Sequence, residues 1–268
     1  MVANSTSAAN RPKIDPRIRQ RRIEVKRDEG RRRLRVILAC VTVASLAGVG
    51  VAATRSALLD VDHVTVRGAS RTAPADVVAA AGLNRRRFMI DVDGQSIARR
   101  VDRLPWVAAT TVSRRWPGTV TLTVRERTAI AVLAGPQNTF SLVDATGRVL
   151  QGSAQPQPGL VVIAGGEPAP APGQLAGPAA RAAVEVAAAI PSDLRGRVSG
   201  LSLVAGGEVE LRLSGSGGPT VRFGSAEDVP AKMTALSTLV AKANLTGATV
   251  IDVRVPAAPV LTRAASSR

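Results

Sequence analysis

The sequence predicts an α+β protein carried on a single membrane-spanning helix, and three observations predict it. An uncharged apolar run lies near the N-terminus, basic residues crowd just ahead of it, and helical and strand periodicities alternate after it. The run, Val36–Thr54, is bracketed by Arg35 and Arg55. As a helix it would be ~28 Å long, close to the hydrocarbon thickness of a bilayer. Gly48 and Gly50 weaken a soluble helix but are ordinary in a membrane one. A cleaved signal peptide is the main rival, with Val51-Ala52-Ala53 as a small-residue site. Such peptides, however, have short basic regions and apolar stretches of roughly 7–15 residues.

Residues 1–35 hold 12 of the 36 Lys and Arg and carry half of the net charge of +16. Arg31, Arg32, Arg33 and Arg35 abut the apolar run, so the positive-inside rule leaves this end in the cytoplasm and puts the chain beyond Arg55 outside. The chain is read as a single-pass type II protein of the cytoplasmic membrane. The tail is poor in hydrophobics and is expected to be disordered, serving orientation and attraction to anionic lipid headgroups of the inner membrane. No aromatic is interleaved with its arginines for base stacking, so nucleic acid is not expected as a partner.

After the run, Val64 and Val66 alternate with polar residues in Asp62–Gly68, a half-buried strand ending at a glycine turn. Pro74–Ala81 reads as a helix with Thr72 as N-cap and Gly82 as stop. Leu83–Asp93 is a loop. Ile97, Val101 and Leu104 share one face of a helix from Gly94 to Leu104, which Pro105 ends. Val107–Ser113 is a strand, Arg114–Gly118 a turn, and Thr119–Glu126 a strand with Val120, Leu122 and Val124 on one face. A three-stranded sheet with two helices on one side would bury both apolar sets.

From Thr128 the pattern becomes a mixed β region with two helices. Strands are read at Thr128–Leu133, Phe140–Val143, Arg148–Leu150 and Leu160–Ile163, with a turn at Asp144–Gly147 and a Pro/Gly-rich loop over Gly152–Gly177. Helices are read at Pro178–Ile190 and Ala226–Ala243. In the second, Val229, Met233, Leu236 and Val240 line one face, Ser225 caps, and Asp228 complements the dipole. Val198–Val204, Glu208–Leu213 and Pro219–Phe223 form a meander. Thr249–Val255 is the last strand, stopped by Pro256 and Pro259, and residues 262–268 are expected to be disordered.

Catalytic chemistry finds little support. His63 is the lone histidine and Cys40, inside the apolar run, the lone cysteine, so no intrachain disulfide can form. No nucleophile elbow, phosphate loop or metal-binding spacing is present, and neither an enzyme nor a metal or cofactor is expected.

Three blocks carry a specific resemblance. Arg103-Leu104-Pro105-Trp106-Val107 is followed by Val112-Ser113-Arg114-Arg115-Trp116-Pro117-Gly118-Thr119-Val120 and by Val124-Arg125-Glu126-Arg127. Together they resemble the FtsQ/DivIB family of bacterial cell-division proteins. The resemblance implies a POTRA domain of β-α-α-β-β order over 58–127, with Leu58–Val61 as a short leash. It implies a second β domain over 128–261, with Ser141-Leu142-Val143-Asp144, Gly147 and the segment Ile251–Pro256 as landmarks. It further implies a scaffold at the division septum that binds the bitopic partners FtsB and FtsL and other divisome components, linking early and late division proteins. In the family a late edge strand receives a strand of FtsB. By position this strand is Thr249, Val250, Ile251, Asp252, Val253, Arg254 and Val255, with Pro256, Ala257, Val260 and Leu261 after it. An aromatic anchor near Val255 is absent, since no Tyr occurs and no aromatic follows Phe223; backbone pairing and aliphatic contacts remain. The POTRA loop at Arg85–Arg87 is a second candidate docking surface. Trp106, Trp116 and Pro117 are expected to specify the fold as helix stop, packed ring and hairpin turn. A POTRA-bearing transport or secretion component is the alternative, but such proteins repeat the unit or add a barrel. A membrane-anchored envelope enzyme is a further one, which lacks site residues.

Overall fold

The computed structural model describes residues 16–54, 60–85, 87–215 and 218–264. It divides into two compact units, Met1–Asp60 and Val61–Arg268. In the first, helix α1 runs over Pro16–Thr54. The expected apolar run is thus the C-terminal part of a longer helix, and of the expected tail, residues 1–15 lie outside the described residues. The stretch Arg33–Ala52 is long and apolar enough to cross a membrane, and none of it is buried. Leu38, Val41, Val43, Leu46 and Val49 all stand exposed. This stretch, exposed among the described residues, has the length and composition of a membrane span. The Thr42 hydroxyl donates to the Leu38 carbonyl at 2.8 Å, so this polar group is satisfied inside the helix.

The second unit opens with β1 (His63–Arg67), α2 (Pro74–Ala81), a short 3₁₀ turn at Met89–Asp91, α3 (Gly94–Val101), β2 (Val107–Arg115) and β3 (Thr119–Glu126). The sheet order is β1-β3-β2, with β1 parallel and β2 antiparallel to β3. A parallel neighbour needs a crossover, and α2 and α3 lie within it. Both helices pack on one sheet face around Val77, Met89, Ile97, Val101, Val120, Leu122 and Val124, the expected β-α-α-β-β layer. Gly68 is required where it stands: its φ is +78°, and a Cβ there would lie 2.2 Å from the Val124 carbonyl oxygen.

Local details differ from expectation. Thr72 does not cap α2. Pro74 takes the first helical position, so Ala73 is the N-cap, and the Thr72 hydroxyl is buried without a partner. Gly82 does stop the helix, in the left-handed conformation, with its N–H on the Ala79 carbonyl. Helix α3 ends at Val101, three residues before the expected Leu104. Its N-cap Asp93 accepts from the Gln95 N–H at 3.0 Å.

The remaining strands are β4 (Ala129–Ala134), β5 (Phe140–Asp144), β6 (Val149–Ser153), β7 (Val161–Ala164), β8 (Val198–Leu203), β9 (Val209–Leu213), β10 (Thr220–Gly224), β11 (Ala248–Asp252) and β12 (Val260–Arg263). They form one nine-stranded sheet in the order β12-β11-β10-β9-β8-β7-β4-β5-β6. Helices α4 (Pro178–Ala188), α5 (Ser192–Arg195) and α6 (Val229–Lys242) complete it. The main core joins Ala183, Val184, Ile190, Leu211, Phe223, Met233, Leu236 and Ile251. With few aromatics, it rests on aliphatic packing, and Phe223 is the largest fully buried side chain.

The short α5 is absent from the sequence reading because Pro191 marks a stop, yet that proline serves as its N-cap. Ser225 does not cap α6. Asp228 is the N-cap, at φ 50°, without a side-chain cap bond. Buried Lys232 instead reaches back to donate to the Ser225 carbonyl at 2.9 Å, and its ammonium lies 5.3 Å from the centroid of the Phe223 ring. Strand β12 takes in Thr262 and Arg263, which the sequence places in the disordered end. Backbone pairing with β11 holds them, a nonlocal interaction that composition does not report.

Candidate protein interface

The sequence places the partner-binding edge on Thr249–Val255, but this segment is not the edge. Strand β11 is parallel to β10 on one side and antiparallel to β12 on the other. The correction has a physical cause. Pro256 and Pro259 read as strand stops, yet they lie in the turn of a hairpin, where a missing N–H costs nothing. The Ala258 N–H donates to the Val255 carbonyl at 3.1 Å across that turn. The chain then returns, pairing Ile251 with Leu261 and Asp252 with Val260.

The outermost strand is therefore β12. Leu261 is partly buried and packs against the main core, which fixes the strand's register. Val260 is 57% exposed, and Thr262 and Arg263 are also exposed. The hydroxyl of Thr249 donates to the Thr262 carbonyl at 3.2 Å, and the guanidinium of Arg263 donates to the Asn244 carbonyl at 3.2 Å. Among the described residues, β12 meets no further strand on its outer side. An edge of this kind presents unpaired backbone donors and acceptors to another extended segment.

The other predicted residues divide by face. The side chains of Ile251 and Val253 are fully buried and build the core. Thr249, Arg254, Val255 and Ala257 are exposed, while Val250, Asp252 and Pro256 are half-buried. Arg254 donates to Asp252 from its backbone N–H at 3.0 Å and from its guanidinium at 2.7 Å, folding over the start of the turn. These bonds from Arg254 hold the Asp252 carboxyl below its usual range, and Asp252 in turn raises the Arg254 guanidinium.

The conspicuous motif lies elsewhere, where the three-stranded sheet meets the nine-stranded one. Glu126 gathers the backbone N–H groups of Ser70, Arg71 and Thr72 at 2.9–3.0 Å and the Ser70 hydroxyl at 2.6 Å. Partial burial pushes its carboxyl up, but these donors outweigh that and hold it below its usual value. Arg127 bonds the Val107 carbonyl through Nε at 2.9 Å and pairs with Asp144 at 2.6 Å. Asp144 is buried and also accepts from Thr146 and from the Arg148 N–H. Burial raises its carboxyl, and the bonds from Thr146 and Arg127 bring it below its usual value. Arg148 donates to the Arg103 carbonyl at 2.9 Å. The Trp106 ring packs against Val132, Leu142 and Leu150, with the Arg71 guanidinium 5.3 Å from its centroid. Val107 is fully buried, and Leu104, just after α3, packs partly against the first core.

Trp106 thus follows the turn after Pro105 and is packed, whereas Trp116 is not a packed ring. It is 54% exposed, because it sits at the tip of the β2–β3 turn, beyond the reach of the core. Pro117 shapes that turn, and Arg114 donates to the Val92 carbonyl at 2.8 Å. Arg86 of the second candidate surface lies outside the described residues; Arg85 and Arg87 are exposed. Sequence reasoning missed Asp144 as the partner of Arg127, since it read as a turn residue and a landmark of the second domain, with no spacing that ties it to Arg127. Among the described residues, no three His, Cys, Asp or Glu gather as a metal site.

Two family models match the chain. The one described as "POTRA domain, FtsQ-type" covers residues 59–127, and the one described as "Cell division protein FtsQ/DivIB, C-terminal" covers residues 131–254. Among curated relatives, the chain is 31% identical to a cell division protein FtsQ of Streptomyces collinus, over 86% of this chain and 89% of the relative. It is 27% identical to that of Mycobacteroides abscessus, over 77% of this chain and 64% of the relative. With that of Corynebacterium glutamicum it shares 34% identity over 34% of this chain and 41% of the relative.

Proposed function

Because the chain belongs to the FtsQ/DivIB family of cell division proteins, we propose that it is a non-enzymatic scaffold of the divisome. In this reading α1 anchors it with the N-terminus in the cytoplasm. Residues 58–127 and 128–261 work outside, at the septum, linking early and late division proteins. The partners are FtsB- and FtsL-like bitopic proteins, and the contact is strand addition to β12, with Val260, Val255 and the β11–β12 turn as its aliphatic rim.

One observation carries the reading: among the described residues β12 is an open edge, held in register by a partly buried residue, Leu261. Backbone pairing supplies affinity that needs no aromatic anchor, which suits a chain with no aromatic after Phe223. The basic segment before Val36 supports the orientation.

The test has two levels. Depletion should give filamentous or branched cells, and normal division overturns the scaffold reading. At residue level, the full chain carrying Arg263→Pro, whose backbone faces away from β11 while that of Thr262 faces it, should recover far less FtsB-like partner than the wild type. Equal recovery sinks the edge assignment and leaves the fold untouched.

A further inference from the structure

The three-stranded unit has two ends. One is covered by the nine-stranded sheet, at Glu126, Arg127 and Trp106. At the other, three segments are tied together by backbone. The N–H groups of Asp62 and His63 donate to the Gly118 carbonyl at 2.8 and 3.1 Å, so the incoming chain is bound to the β2–β3 turn. Val61 donates to the Arg87 carbonyl at 2.8 Å, binding it also to the α2–α3 loop. Arg114 joins the hairpin to that loop at Val92.

This end exposes two large apolar groups, Trp116 at 54% and Ile90 at 51%. Around them stand the exposed Arg85, Arg87, Arg114 and Arg115, with Asp62, Asp91 and Asp93 as the facing acids. Asp93 is occupied as the cap of α3. Trp is one of the side chains that favours the boundary between lipid tails and water, and arginine bonds phosphate oxygens in pairs.

Chain length decides which surface lies within reach. Thr54 ends α1 and Val61 is already bound to Arg87. The intervening chain extends at most ~25 Å. We propose that the Trp116 turn and the Ile90 loop form a lipid-docking end, which rests on the anionic phosphate headgroups of the membrane that α1 enters. The inference depends on α1 being an anchor. Its effect is to orient the unit: the sheet stands on the bilayer by one end, and the nine-stranded sheet is carried at the other.

The test uses the full chain in vesicles of phosphatidylcholine with phosphatidylglycerol, some of it brominated to quench tryptophan. The chain's two Trp are Trp106 and Trp116. β2 separates them, ~30 Å long at nine extended residues. Roughly half of the wild-type emission, the Trp116 share, should be quenched, and Trp116→Phe should abolish the quenching. Arg114→Gln with Arg115→Gln should reduce it, as should phosphatidylcholine alone. A chain that floats with the vesicles yet shows no quenching overturns the docking end and leaves the anchor standing. Quenching that persists in Trp116→Phe also overturns it. Equal quenching without phosphatidylglycerol overturns the headgroup recognition. A chain that fails to float overturns the anchor, and the docking end with it.

Discussion

Around Glu126, Arg127 and Asp144, buried or half-buried carboxylates collect hydroxyl, guanidinium and backbone N–H donors from three separate segments. Along β12, by contrast, a four-residue strand is held by one neighbour and one partly buried side chain. The first region is largely closed chemistry: its carboxylates are saturated with donors, although the Thr72 hydroxyl and Arg148 Nε find no partner among the described residues. The second is open, with no further strand beside it among the described residues. Of the residues that stand out in the sequence, Arg103–Val107 and Val124–Arg127 belong to the closed region, while Arg114–Gly118 lie at the other end of the three-stranded sheet. Two of the three conspicuous blocks therefore report how two sheets are joined, while the proposed binding edge is an ordinary Val-Leu-Thr-Arg strand.

Breaking the joint should produce the largest effect, and on stability alone. Arg127→Ala strands the buried Asp144 carboxylate and frees the Val107 carbonyl. It should cost about 2–4 kcal/mol in denaturant unfolding of the full chain, with partner affinity at folded temperatures unchanged. Arg263→Pro, at a backbone position that faces away from β11, is its mirror image. It removes a backbone donor from β12 and fixes φ, so partner affinity should fall tenfold or more, ~1.4 kcal/mol, with the melting temperature little moved. If the two variants trade phenotypes, the division between closed joint and open edge is wrong.

Smaller changes sharpen the contrast. Glu126→Gln keeps the shape but loses charge on the acceptor of Ser70, Arg71 and Thr72, and should destabilise by about 1 kcal/mol at neutral pH. Glu126 and Asp144 both have carboxyls lowered in the folded state. Their contribution is therefore present above the unfolded value and lost as pH falls through the folded one, below about 4. The stability gap between wild type and Glu126→Gln should close over that acid range, as followed by thermal melts. Smallest of all, Val255→Ala at the exposed turn should leave stability within about 0.5 kcal/mol and weaken partner binding only slightly.

Much of the fold is legible in the residues. Val120, Leu122 and Val124 alternate through β3 and are buried, and Val229, Met233, Leu236 and Val240 recur at helical spacing and are buried too. Such local periodicity records which face meets the core. What the sequence conceals is nonlocal. Arg127 and Asp144 are neighbours only because β4 and β5 are antiparallel, which no spacing states. Likewise, Pro256 and Pro259 look like an ending, and only the pairing of Ile251 with Leu261 turns them into a hairpin. Trp116 is legible as a turn neighbour but not as exposed, since a large aromatic reads as core until the hairpin tip is placed.

Backbone hydrogen exchange on the full chain in a lipid bilayer, with and without an FtsB-like partner, tests the open-edge account most directly. The account predicts new protection at Val260–Arg263, with the amides of Ser70–Thr72 at the joint unchanged. Protection that appears elsewhere while β12 keeps its free-chain exchange would contradict it.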